Sequence, residues 1–189
     1  GGKDAAAIKK KTDYLAIFLS EVIFWKVLVR WSIDSLKNES ASNPWKLKKN
    51  VLPQHTDHAG VMWHGTYVDW LEEARIDALY KVGMNYEKIS AEGYELPVIS
   101  LLVNYKIAIK HGEQIIMETI CLPIEGIRLK WKTFFRKTNG KIAAAASVEL
   151  VFVKMVNGDP SLLKLIPDHI LLYLKLLSSG PASWKNLYS

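Results

Sequence analysis

Residues 54–83, QHTDHAGVMWHGTYVDWLEEARIDALYKVG, place an aspartate and three histidines around the start of a helical pattern. Asp57, His58 and Gly60 stand just ahead of that start. A helix N-terminus carries free N–H groups and a partial positive charge, so it can hold developing negative charge. A carboxylate facing such an end can attack an electrophile or orient a water, while the N–H groups polarise a carbonyl. The competing reading makes Asp57 a turn residue that bonds its own backbone. The five histidines lack zinc-like spacing with other ligands, apart from the three near Asp57, and no metal site is expected.

The elements that must position these groups follow from periodicity. Thr66 is the expected N-cap, with Asp69 completing a capping box. Tyr67, Trp70, Leu71, Ala74, Ala78 and Val82 recur at helical spacing and form one apolar stripe, and Gly83 supplies the stop. Such a helix lies on a sheet. Residues 45–52 read as a first strand and 86–92 as a short helix. Residues 98–109, 114–124, 128–138 and 141–156 read as four consecutive strands, with His111-Gly112 and Asn139-Gly140 as turns. Asn157-Gly158-Asp159-Pro160 ends the last strand, and 168–177 forms a closing helix. Short turns imply an antiparallel meander, so the fold class is α+β.

The chain has 189 residues, 49% hydrophobic and 23% charged, with a net charge of +6 that suits anionic partners. The single cysteine, Cys121, excludes an internal disulfide and fits a reducing, cytoplasmic setting. Residues 14–31, YLAIFLSEVIFWKVLVRW, form an apolar helical segment interrupted by Glu21, Lys26 and Arg30. Those charges argue against a bilayer span or a signal peptide. The segment either packs on protein or lies weakly on a membrane surface. The polar stretch 37–44 is the clearest boundary. It separates residues 1–44 from a domain over 45–177, with a tail over 178–189.

HTDHAGVMWHGTYVDWLEEARIDAL resembles the signature of the hotdog-fold thioesterases of the 4-hydroxybenzoyl-CoA thioesterase family. The matching positions are Asp57, Gly60, Val61, Trp63, His64, Tyr67, Trp70, Glu72 or Glu73, and Ala74-Arg75. The resemblance covers about residues 47–167. His55 and His58 depart from the pattern, which carries an acidic residue at the first position and a small one at the second. The resemblance implies an antiparallel sheet wrapped round one long helix. It also implies a homodimer or homotetramer with sites at the subunit interface.

In chemistry the resemblance implies hydrolysis of an acyl-CoA, aromatic or aliphatic, by Asp57. N–H groups around His64 and Gly65 would polarise the carbonyl, and the His64 side chain would orient water or help hold Asp57. Glu73 is a second candidate, since some hotdog enzymes use a helix carboxylate. Gly60, Trp63 and Tyr67 would contact substrate. Arg128, Lys130 and Lys132 are candidates for the coenzyme A phosphates, and a solvated strand face explains that row equally well. Coenzyme A would be substrate rather than cofactor, and nucleic acid is not an expected partner. Three alternatives stay open: a carrier-protein thioester as substrate, a non-catalytic acyl-thioester binder, and a membrane-associated scaffold organised by the N-terminal segment.

Overall fold

A computed structural model describes residues 43–181. The apolar segment 14–31, most of the linker and the last eight residues lie outside the described residues. So does every expectation about packing or membrane contact by the N-terminal segment.

The chain runs β1 (Trp45–Asn50), α1 (His64–Lys81), α2 (Tyr86–Ala91), β2 (Tyr94–Glu95), β3 (Val98–Tyr105), β4 (Gln114–Cys121), β5 (Arg128–Lys137), β6 (Ile142–Val151), β7 (Val153–Val156), β8 (Asp159–Leu162) and α3 (Asp168–Ser179). Five strands form an antiparallel sheet in the order β1-β4-β5-β6-β3. The α+β expectation holds. The expected stripe is the buried face of α1, with Tyr67, Trp70, Leu71, Ala74, Ala78 and Val82 all in the core. Alternate residues of the sheet belong to the same core: Ile115, Met117 and Cys121 on β4, then Leu129, Trp131 and Phe135 on β5. Ala144 and Ala146 on β6 are small, which lowers that part of the inner face. Truncating Trp70, 1% exposed, to alanine would cost about 3–5 kcal/mol.

Three expectations change. The strands do not form one meander, because β3 pairs with β6 and not with β4. His111-Gly112 therefore ends a crossing segment, residues 106–113, that passes from one side of the sheet to the other. The long final strand breaks at Phe152. β7 leaves the main sheet, pairs with β2, and turns back as β8. Asn157 and Gly158, at φ 53° and 90°, make that two-residue turn, so Pro160 sits in a strand rather than ending one. Finally, the N-cap of α1 is Trp63, without a side-chain cap bond. Thr66 is buried in the first turn, and its hydroxyl donates to the His55 carbonyl at 3.1 Å.

Candidate active site

The segment from His55 to Trp63 folds as a tight hairpin ahead of α1. Thr56 bridges Met62, and the Trp63 N–H reaches the His55 carbonyl at 3.1 Å. Asp57 closes the loop with its backbone and side chain together. Its N–H donates to the Val61 carbonyl (2.8 Å), and its Oδ1 accepts from the N–H groups of Ala59 (2.9 Å) and Val61 (3.2 Å). Gly60 completes the loop at φ 71°, where a side chain would be strained. Asp57 is therefore a turn residue. It is also exposed, and its Oδ2 has no partner among the described residues.

The crossing segment forms the opposite wall. The Ala143 carbonyl accepts from both Lys106 (2.8 Å) and Ile107 (3.0 Å). The Met62 N–H reaches the Ile109 carbonyl (2.8 Å), and the His111 N–H reaches the Gly60 carbonyl (3.0 Å). Between the two walls lies an open cavity of about 560 Å³, lined by Asp57, Val61, Met62, Trp63, His64, Tyr67, Tyr105, Lys106, Ile107 and Ala108. Tyr67 packs edge-on against Tyr105, with ring centroids 4.9 Å apart, and lies 5.1 Å from Phe135. Burial, with Tyr105 and Glu113 nearby, pushes the Tyr67 hydroxyl up to about 12.

The helix begins at this cavity. The N–H groups of His64 and Gly65 precede any carbonyl that α1 could offer them, and they have no other acceptor among the described residues. The His64 imidazole lies edge-on to Trp63, centroids 5.1 Å apart, and makes no hydrogen bond to Asp57.

Among the sequence candidates, Asp57, Trp63, His64 and Tyr67 line one cavity, with Gly60 and Gly65 beside them in the loop and first turn. Glu73 lies elsewhere. It is nine residues along α1 from His64, roughly 13 Å, and it pairs with Lys49 of β1. It does not pair with Arg75. Arg75 is buried beside Tyr86 and Glu72; burial lowers its pKa, and its Nε lacks a partner among the described residues. Arg128, Lys130 and Lys132 sit toward the start of β5, whereas the cavity adjoins its end near Phe135. Arg128 pairs with Glu149 and Lys130 with Glu125, both at 2.7 Å. His55 packs structurally, its Nδ1 accepting the Leu52 N–H at 3.1 Å and its ring edge-on to Trp70. The wall residues Tyr105, Lys106, Ile107 and Ala108 escaped the sequence reading, because apolar 98–109 looks like one uninterrupted strand.

Comparison with known proteins bears on the family and the fold. The model of the thioesterase-like superfamily matches residues 51–174. A Synechocystis sp. protein provisionally named an esterase is 37% identical over 95 residues, 50% of this chain and 57% of that protein, so the match spans little more than half of that relative. A Bacillus subtilis protein provisionally named an acyl-CoA thioesterase is 23% identical over 131 residues, 69% of this chain and 95% of its own. Among solved structures, the DHNA-CoA thioesterase of Staphylococcus aureus aligns with a TM-score of 0.61 at 28% identity, covering 76% of this chain and 94% of its own. The hairpin, the long helix and four of the five strands of the sheet, all but β1, fall within the matched region, and the chain belongs to the thioesterase-like superfamily.

Proposed function

We propose that the protein hydrolyses acyl-CoA thioesters to the free acid and coenzyme A. One observation carries the reading: Asp57, with a carboxylate oxygen unpartnered among the described residues, and His64, where the helix begins with N–H groups likewise unpartnered there, border the same largely apolar cavity. Asp57 takes a proton from water as that water attacks the thioester carbon. The carbonyl oxygen gains the electron pair and accepts from the His64 and Gly65 N–H groups. Collapse of the tetrahedral intermediate expels the thiolate, which picks up the proton. The base and donors are all the protein's own, so the step calls for no metal or resident cofactor. The His64 ring, at the cavity rim, is placed to orient the water. Tyr67 and Trp63 supply walls for the acyl group.

The same reading includes a homodimer built on the free edge of β3. Val98, Ile99, Leu101 and Leu102 are each 40–48% exposed along that edge, which bears no charged residue. The opposite edge, β1, carries Lys46, Lys48 and Lys49. Lysines on an edge strand oppose pairing, whereas an apolar uncharged edge invites it. Such a dimer brings the β3 ends, and hence Tyr105 and Lys106, to the subunit boundary. A cytoplasmic location fits the buried, unpaired Cys121. Thiol release from a panel of aromatic and aliphatic acyl-CoAs tests the activity. Release from at least one member supports it, and no release from any of them sinks it.

A further inference from the structure

We infer that Trp63 is the specificity-determining wall of this site, setting the size of the acyl group through its contact with Gly65. The inference rests on the thioester reading of the cavity. Trp63 differs from the other core-associated indoles. Trp70 and Trp131 are almost fully buried, and Trp45 donates its Nε1 to the Leu177 carbonyl at 2.9 Å. Trp63 is 41% exposed although it lines the cavity, and its Nε1 has no acceptor among the described residues. An indole that lines a cavity and stays open to it is placed to touch whatever fills that cavity.

What holds the indole in place is Gly65. A β-carbon at position 65 would overlap three carbons of the Trp63 benzo ring, so the ring lies flat against the first turn of α1 only because residue 65 has no side chain. The ring therefore occupies the ground beside the N–H groups that receive the carbonyl oxygen. The Trp63 backbone is fixed independently, by its N–H to the His55 carbonyl and its carbonyl to the Thr66 N–H (3.1 Å each). Rotation about χ1 and χ2 can thus move the indole without disturbing the loop or the helix. With the indole seated, the site admits flat or short acyl groups. With it displaced, the space opens to longer chains.

Two independent substitutions displace it. Trp63→Ala removes the ring. Gly65→Ala keeps the ring and pushes it off the helix, while preserving the N–H at position 65 and improving helix propensity. The experiment measures kcat/KM for acetyl-, benzoyl- and octanoyl-CoA, and Kd by calorimetry for the S-methyl, S-benzyl and S-octyl thioethers of coenzyme A. Both variants should raise the octanoyl-to-acetyl ratio of kcat/KM and lower the octyl-to-methyl ratio of Kd, each about tenfold or more, with Trp63→Phe in between. The thioethers cannot be hydrolysed, so their Kd ratios decide the inference even if no thioester turns over and the hydrolytic reading fails. A change uniform across acyl sizes, opposite shifts in the two alanine variants, or no thioether binding at all would overturn it.

Discussion

The Lys137 ammonium donates to both carboxylate oxygens of Glu113, at 2.9 and 2.8 Å, and to the Ala108 carbonyl at 2.7 Å. Lys137 ends β5, while Glu113 and Ala108 belong to the crossing segment. One cation thus ties the cavity wall to the rigid sheet. Lys137→Met should loosen the wall over residues 106–108 and raise KM several-fold with a much smaller change in kcat, as expected when ground-state and transition-state binding weaken together. Steady-state kinetics on the best substrate of the panel checks this. An unchanged KM would deny the tie any part in substrate binding.

The same pair makes a pH prediction. Burial alone would raise the Glu113 carboxyl, but bonds from Lys137 and the Lys110 N–H outweigh it and hold the group below the usual carboxylate range. The folded value is the lower one. The stabilisation is therefore present above the ordinary carboxylate pKa and is lost as pH falls through the lowered value. Glu113 is partly exposed, so the effect is about 1 kcal/mol or less. Denaturant midpoints of wild type and Glu113→Gln should differ near neutral pH and converge on acidification. A gap that persists in acid would contradict the assignment.

Tyr67 predicts behaviour at the alkaline end. Its hydroxyl is pushed up to about 12, so between the ordinary tyrosine value and that point the unfolded chain ionises while the folded one does not. Stability must fall with rising pH across that window. Tyr67→Phe should lose part of this alkaline decline, the remainder being shared by other groups that are also raised, Cys121, Tyr80, Tyr86 and Lys130 among them. Thermal melts either side of the window measure it. An identical decline in both proteins would mean that Tyr67 is not shielded as described.

The β3 edge predicts an assembly phenotype. Leu101 and Leu102 point to opposite faces of the strand and are both exposed. Leu101→Lys or Leu102→Lys places a charge on the apolar edge and should shift sedimentation from dimer to monomer. Lys48→Leu on the β1 edge serves as the control and should leave assembly unchanged. A wild-type monomer, or a dimer indifferent to both β3 changes, would refute the proposed edge.

The long helix was legible because its buried face repeats every three or four residues from Tyr67 to Val82. Strand positions were legible because β-branched and apolar runs alternate with turn residues. Adjacency was not, since His111-Gly112 looks the same whether it closes a hairpin or ends a crossing segment. Phe152 is one apolar residue within a longer apolar run, so nothing local announces that the chain leaves the sheet there. That Asp57, Trp63, His64 and Tyr67 gather at one cavity was legible because they surround one helix start. Tyr105, Lys106 and Ala108 were missed because they reach the cavity only through a connection across the sheet. For the basic row on β5, alternation reveals a polar face, but not that Glu149 and Glu125 pair with two of its members.

The central claim is that Asp57 performs the chemistry while also closing its loop. Asparagine at position 57 keeps an oxygen for the Ala59 and Val61 N–H groups but removes the carboxylate. Thiol release by Asp57→Asn, compared with wild type on the best acyl-CoA, tests the claim most directly. The account predicts a fall in kcat of about 10²–10⁴-fold with an unchanged melting temperature. Turnover near the wild-type rate would contradict it and move the chemistry away from Asp57, with His64 a titratable side chain left beside it in the cavity lining.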